Sequence, residues 1–186
     1  MTFTSFLRFA SESTPMKDVS LFAFLQPLLY IQVTPERVAI RNLRTGASLS
    51  EVAELALGHP QAGKPRVLAV GTQAQMAAAA EPGARLIRPF AHPRTLVSDF
   101  ISAELLLRNL VKQSLGKRLL AISPMVVMHP MGSPEGGFTA VERRAFRELG
   151  LGAGALEVQV WTGRPLTDDE LRSRRFPADG GQVDGG

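Results

Sequence analysis

The chain of 186 residues has no cysteine, and that absence excludes disulfide scaffolds, thiolate metal sites and a cysteine nucleophile together. It has one tryptophan, one tyrosine and three histidines. Each histidine (His59, His92, His129) precedes a proline, which biases it toward extended backbone and away from a shared helical face. None has a partner at metal-ligand spacing, so no metal and no cofactor is expected. No apolar run approaches the roughly 20 residues needed to cross a bilayer. The most apolar early stretch, Leu21 to Val33, is interrupted by Gln26-Pro27. The opening residues also lack a continuous apolar core followed by a small-residue cleavage site, so no secretory signal is expected. No Gly-x-Ser-x-Gly elbow is present, which removes the commonest serine-nucleophile pattern.

What is present is ordinary soluble composition: 45% apolar and 20% charged residues, enough for one domain with its own core and too few residues for a two-lobed nucleotide clamp. The net charge of +4 is spread along the chain, so nucleic acid is not an expected partner. Arg143, Arg144 and Arg147 share a helix with Glu142 and Glu148; they read either as a solvated face or as a partner-binding face.

Met1 to Ala10 places Phe3, Phe6 and Leu7 on one helical face beside Arg8. Two readings fit: an interfacial membrane anchor with Arg8 at anionic head groups, or a terminal helix that frays or packs on its own domain. Ser11 to Ser20 reads as linker. Leu28 to Val33 and Val38 to Leu43 form a hairpin candidate about Thr34-Pro35-Glu36-Arg37. Ser48 to Leu57 is read as one strand, Gly58 to Pro65 as a loop, Val67 to Val70 as a strand and Thr72 to Ala80 as a helix. The clearest helix opens at Ser98 or Asp99 and stops at Gly116. Strand material follows from Leu119 to Met128. Thr139-x-x-Glu142 is a capping box that opens a helix to Leu149, Leu156 to Trp161 is a strand, and Thr167-x-x-Glu170 is a second capping box. That box explains Asp168, Asp169 and Glu170 as helix-start residues. After Phe176 the chain is glycine-rich with almost nothing to bury, and disorder is expected over 176–186. The order of elements predicts an α/β (α+β) layer architecture, a mixed β-sheet flanked by helices, over 28–175, preceded by an amphipathic segment and linker at 1–27.

Gly58-His59-Pro60-Gln61-Ala62-Gly63-Lys64 matches a phosphate loop up to its last position. There it fails, because Pro65 supplies neither the hydroxyl for magnesium nor an N–H, and no helix follows at once.

Four stretches in succession resemble the MreB family, the actin-like rod-shape proteins of bacteria. Arg66-Val-Leu-Ala-Val-Gly71 with Ala74 and Met76 is similar to the family's V-A-V-G-x-x-A-x-x-M, and Leu86-Ile-Arg-Pro89 to its I-R-P turn. Val97-Ser-Asp-Phe100 resembles I-A-D-F. The most specific is Thr139-Ala-Val-Glu-Arg-Arg-Ala-Phe-Arg-Glu148 with Gly152-Ala-Gly-Ala155, similar to T-x-V-E-R-R-A-I-R-E…G-A-G-A. The resemblance covers about 28–165 and implies the first subdomain of an actin-like protein, a ribonuclease H-like unit. It also implies partners among MreB filaments or other shape-determining proteins, a cytoplasmic location and peripheral inner-membrane contact through the first ten residues. The family's ATPase residues are not matched: Gln32-Val-Thr-Pro-Glu-Arg37 stands where D-x-G-T-x-x-T is expected, and Gly163-Arg164-Pro165 stands where E-E-P is expected. The departures imply a protein degenerate for ATP binding that acts by binding. The competing expectation is a residual nucleotide-binding ATPase that uses Lys64 or is completed by a second chain.

Overall fold

The computed structural model describes residues 26–119, 122–132, 135 and 137–184. The candidate membrane contact at Phe3, Phe6, Leu7 and Arg8 lies outside the described residues. Among the described residues no helix is long and apolar enough to cross a membrane.

The central sheet is built from β1 (Leu28–Val33), β2 (Arg37–Asn42), β3 (Ser48–Val52), β7 (Met125–Pro130), β8 (Glu157–Gly163) and β9 (Gly181–Asp184), in the order β3-β2-β1-β7-β8-β9. β1, β2 and β3 form an antiparallel meander, whereas β7 and β8 run parallel to β1, and β9 returns antiparallel along β8. A second sheet of β4 (Leu55–Gln61), β5 (Lys64–Val70) and β6 (Arg85–Ile87) stands apart in the order β5-β4-β6. The helices are α1 (Ala74–Ala80), entered through a 3-10 turn at Gly71–Gln73, then α2 (Phe100–Leu119), α3 (Ala140–Gly152) and α4 (Asp168–Ser173).

Alternation along the strands sorts the two faces of the central sheet. Leu29, Ile31, Val33, Val38, Ile40, Val126, Met128, Val158 and Val160 point into the larger core, where α2 contributes Ala103, Leu106, Leu107 and Leu110 and α3 contributes Phe146 and Leu149. The opposite face buries Tyr30, Val127 and Trp161 under Leu166 and Leu171, with Phe176 stacked on the indole. Parallel strands need crossovers, and α2 and α3 supply them from one face.

The expected helix starts hold, whereas α3 runs on to Gly152 rather than ending at Leu149, and β7 spans Met125–Pro130 rather than Leu119 to Met128. Asp99 caps α2, its carboxylate accepting from the Ser102 N–H at 3.0 Å and the Ser102 hydroxyl at 2.7 Å. Gly116 leaves helical geometry at φ 64°, where the side chain it lacks would be strained. Both capping boxes form, Thr139 with Glu142 and Thr167 with Glu170. Three further expectations are corrected. Ser48 to Leu57 is two strands in different sheets, parted at Ala53-Glu54. Gly58 to Pro65 is no loop but the β4–β5 hairpin, which turns at Ala62 (φ 50°) and Gly63 (φ 73°). The tail expected to be disordered supplies β9, because main-chain pairing with β8 needs no apolar side chains.

Candidate functional site

The carboxyl ends of β1, β7 and β8 lie side by side, and open α/β sheets most often bind ligands there. The β1–β2 turn closes this end. The Thr34 N–H donates to the Arg37 carbonyl at 2.9 Å and the Arg37 N–H donates to Thr34 Oγ1 at 2.9 Å. Pro35 has no N–H. The Thr34 and Arg37 donors are therefore spent within the turn, and exposed Glu36 adds a negative charge beside it. Beside the turn, the Gln32 amide lies 3.1 Å from the Met131 sulfur.

Across the same end, Gly163-Arg164-Pro165 is tied to α4. Arg164 grips Glu170 with both guanidinium nitrogens, at 3.0 and 2.5 Å, and its carbonyl accepts from the Trp161 indole at 2.8 Å. That bond to Arg164, with the Thr167 N–H, holds the Glu170 carboxyl at about 2. Reciprocally, the pairing raises the Arg164 guanidinium above its usual range. Glu170 is thus spent on capping α4 and on Arg164.

One buried polar chain crosses this end, and sequence reasoning missed it. Tyr30 Oη lies 2.5 Å from His129 Nδ1, His129 Nε2 lies 2.9 Å from the Gly163 carbonyl, and the Leu166 N–H donates to Tyr30 Oη at 3.2 Å. A carbonyl only accepts, so Nε2 carries the proton and Nδ1 accepts from the tyrosine. The arrangement fixes a neutral imidazole. Burial lowers the His129 pKa, against the opposing pull of the Gly163 carbonyl, and burial raises that of Tyr30. The chain ties β1, β7 and the β8–α4 connection together and contacts nothing outside the fold. Its only sequence signal was the lone tyrosine one residue from Ile31 in an apolar strand.

The remaining sequence candidates fall in separate places. Lys64 pairs with Gln61 across the β4–β5 hairpin, so the phosphate-loop look-alike is a strand pair with a two-residue turn. His59 is exposed beside Gly83, and His92 accepts from the Arg94 N–H at 3.2 Å. No group of three or more His, Asp or Glu among the described residues could hold a metal. Arg143, Arg144 and Arg147 come together along α3. With Ala140, Glu148, Val160 and Asp184 they line an open cleft of about 540 Å³, in which Arg143 Nε meets Asp184 of β9 at 2.5 Å.

A mixed sheet with an antiparallel meander on one side and parallel crossover strands on the other, plus a small separate sheet, defines one subdomain of an actin-like protein. Solved structures bear this out. MreB5 of Spiroplasma citri bound to ADP superposes with a TM-score of 0.55 at 18% identity over 74% of this chain and 38% of its own. A non-polymerising MamK mutant bound to AMPPNP gives 0.57 at 14% identity over 74% of this chain and 41% of its own. In sequence, the model of the MreB/Mbl protein family matches residues 43–165, more than half of the chain. The chain belongs to the MreB/Mbl family. It is 37% identical over 116 residues to the cell shape-determining protein MreB of Escherichia coli strain K12 and to that of Salmonella typhimurium strain LT2, which covers 61% of this chain and 31% of each relative. The chain thus spans under a third of the length of the curated relatives it matches.

Proposed function

We propose that this chain is a non-catalytic binding or scaffold module of the bacterial shape-determining cytoskeleton, degenerate for ATP binding, whose partners are MreB filaments or other shape-determining proteins. The observation that carries the reading is the β1–β2 turn. Its Thr34 and Arg37 N–H groups are spent internally, Pro35 has none, and Glu36 is the charge it exposes. Gly163-Arg164-Pro165 supports it as well, since the arginine there is committed to Glu170 and no carboxylate occupies the motif. Lys64, the one lysine in a phosphate-loop-like context, sits at a hairpin. On this reading the N-terminal Phe3, Phe6, Leu7 and Arg8 would add a peripheral membrane contact at the cytoplasmic face.

The test is the melting temperature of the full chain with and without millimolar magnesium-ATP, followed by co-sedimentation with MreB filaments and with anionic liposomes. A ligand at about 100 times its dissociation constant stabilises by about 2.7 kcal/mol, a shift of several degrees. No shift together with pelleting on filaments is the expected result. A clear shift would move the residual-ATPase reading to the front. Failure to pellet with any such filament would remove the scaffold reading.

A further inference from the structure

The two ends of the central sheet are finished differently. At the β3 edge, Glu51 reaches out and accepts from both the Thr72 N–H at 2.9 Å and the Thr72 hydroxyl at 3.0 Å, which lays the 3-10 turn against the strand. At the other end β9 is bare. No described strand pairs with its outer side, Gln182 and Val183 are exposed, and it carries none of the lysines or prolines that usually guard a sheet edge.

Register settles which groups that edge presents. Arg164 N–H donates to the Gly180 carbonyl at 3.0 Å, and the pairing of Thr162 with Gln182 and Val160 with Asp184 continues the same ladder. Antiparallel pairs alternate between bonded and non-bonded, so Val183, opposite Trp161, turns its N–H and C=O away from β8. Val160 belongs to the α3 side of the sheet, and its partner Asp184 sends its carboxylate the same way, onto Arg143. A carboxylate on an extended strand, met by an α3 arginine, is therefore already realised once within the fold. Arg144 lines the same cleft, is exposed, and has no ion-pair partner among the described residues.

We propose that the outer edge of β9 and the α3 arginines together form a docking groove for an extended acidic segment of a partner protein, which adds as a further strand and sets a carboxylate against Arg144. Main-chain bonding to Val183 gives the segment its register, and side chains on the α3 side of the new strand give it selectivity for acidic residues. The idea rests on the binding-module reading and names the chemistry of one of its partners.

The experiment uses the full chain and a fluorescent peptide of about six residues, one average strand, with aspartate at alternate positions. A second peptide of the same sequence is N-methylated on every backbone amide, which preserves charge and removes pairing along both of its edges. The expected result is saturable binding of the first peptide that weakens with salt, no binding of the second, and slowed hydrogen exchange at the Val183 amide. Arg144→Glu should weaken the first peptide roughly tenfold, since an attractive rim contact becomes repulsive. Equal binding of both peptides, or an unprotected Val183 amide in the bound state, would reduce the groove to a diffuse anion surface and overturn strand addition. Anionic vesicles retained through Arg144 with no peptide bound would assign the arginines to lipid and overturn it too. Peptide binding without filament co-sedimentation leaves this groove standing and removes the cytoskeletal reading; filament binding unchanged by Arg144→Glu, with no peptide bound, does the reverse.

Discussion

Replacing Tyr30 with phenylalanine removes one oxygen atom and strands two buried groups. In the native fold Tyr30 Oη donates to His129 Nδ1 and accepts from the Leu166 N–H, and Tyr30 and His129 are 2% and 1% exposed. With phenylalanine there, an imidazole nitrogen and a main-chain N–H each lose their partner where water does not reach. Each orphaned group costs about 1–3 kcal/mol, so the variant should lose about 2–6 kcal/mol, while the ring's packing against Leu43, Val127 and Leu171 is kept. Urea unfolding followed by fluorescence reads this directly, because Trp161, the only tryptophan, is buried in the same cluster. The slope of free energy against urea should be unchanged, since the surface exposed on unfolding is the same. The pH dependence supplies a second arm. The folded-state pKa of His129 lies below its ordinary value of 6.5, so the unfolded chain binds the extra proton first. Stability contributed by the neutral imidazole is therefore present above about pH 6.5 and is lost as pH falls below it, with a slope of up to about 1.4 kcal/mol per pH unit. His129→Phe should flatten that slope. A Tyr30→Phe protein within about 0.5 kcal/mol of the parent would refute the network, because a surface change does no more than that.

Other expectations follow from the same contacts. Thr139→Ala removes the cap that accepts from the Glu142 N–H and should cost about 1 kcal/mol in the same urea assay. Phe146→Ala opens a cavity beneath α3 beside Phe90 and Phe138 and should cost about 3–5 kcal/mol, enough to leave the domain marginal. The Glu170 carboxyl should titrate near 2 by NMR and climb toward the ordinary range in Arg164→Ala; its contribution is present above the unfolded value and lost as pH falls through the folded one, so a normal titration in the parent would show that the Arg164 pairing does not persist in solution.

Local chemistry was legible from the chain wherever it was self-contained. The Asp99 cap, the Gly116 stop and both capping boxes each depend on residues within a few positions of one another, and all four stand where the sequence put them. Pairing partners were harder, because they depend on distant segments. Ser48 to Leu57 has apolar residues along its whole length and neither glycine nor proline to mark a turn, and only the demands of two different sheets part it at Ala53-Glu54, where the Glu54 side chain is tied to Arg88 at 2.8 Å. Gly58 to Pro65 holds two prolines and two glycines and reads as loop, yet its bonds are met by a hairpin with an irregular register. β9 was invisible for a simpler reason: a strand that adds at an edge buries little, so its sequence needs no pattern. The Tyr30–His129 chain joins residues 99 positions apart, which no local spacing encodes.

The way stability is distributed leaves the β1–β2 turn free to vary within an actin-like frame. Both apolar clusters are built from strand interiors and helix faces, and neither includes a residue of the β1–β2 turn between Thr34 and Arg37. A turn held by its own threonine hydroxyl and main chain imposes no demand on the core behind it. Substitution there is therefore nearly uncoupled from folding, whereas Thr139 to Glu148, a stretch that resembles the family, contributes Phe146 to the core and Glu142 both to the cap at Thr139 and to the Leu96 N–H at 3.4 Å. Selection for fold alone would preserve Phe146, Glu142 and also Arg143, which bonds the Phe138 carbonyl at 3.1 Å and pairs with Asp184, and would be indifferent to exposed Arg144, whose side chain faces the cleft. An exposed arginine at a position that folding does not require is what a binding role on that face would demand, and Arg144→Glu, which should leave stability within about 0.5 kcal/mol of the parent, separates the two pressures in one variant.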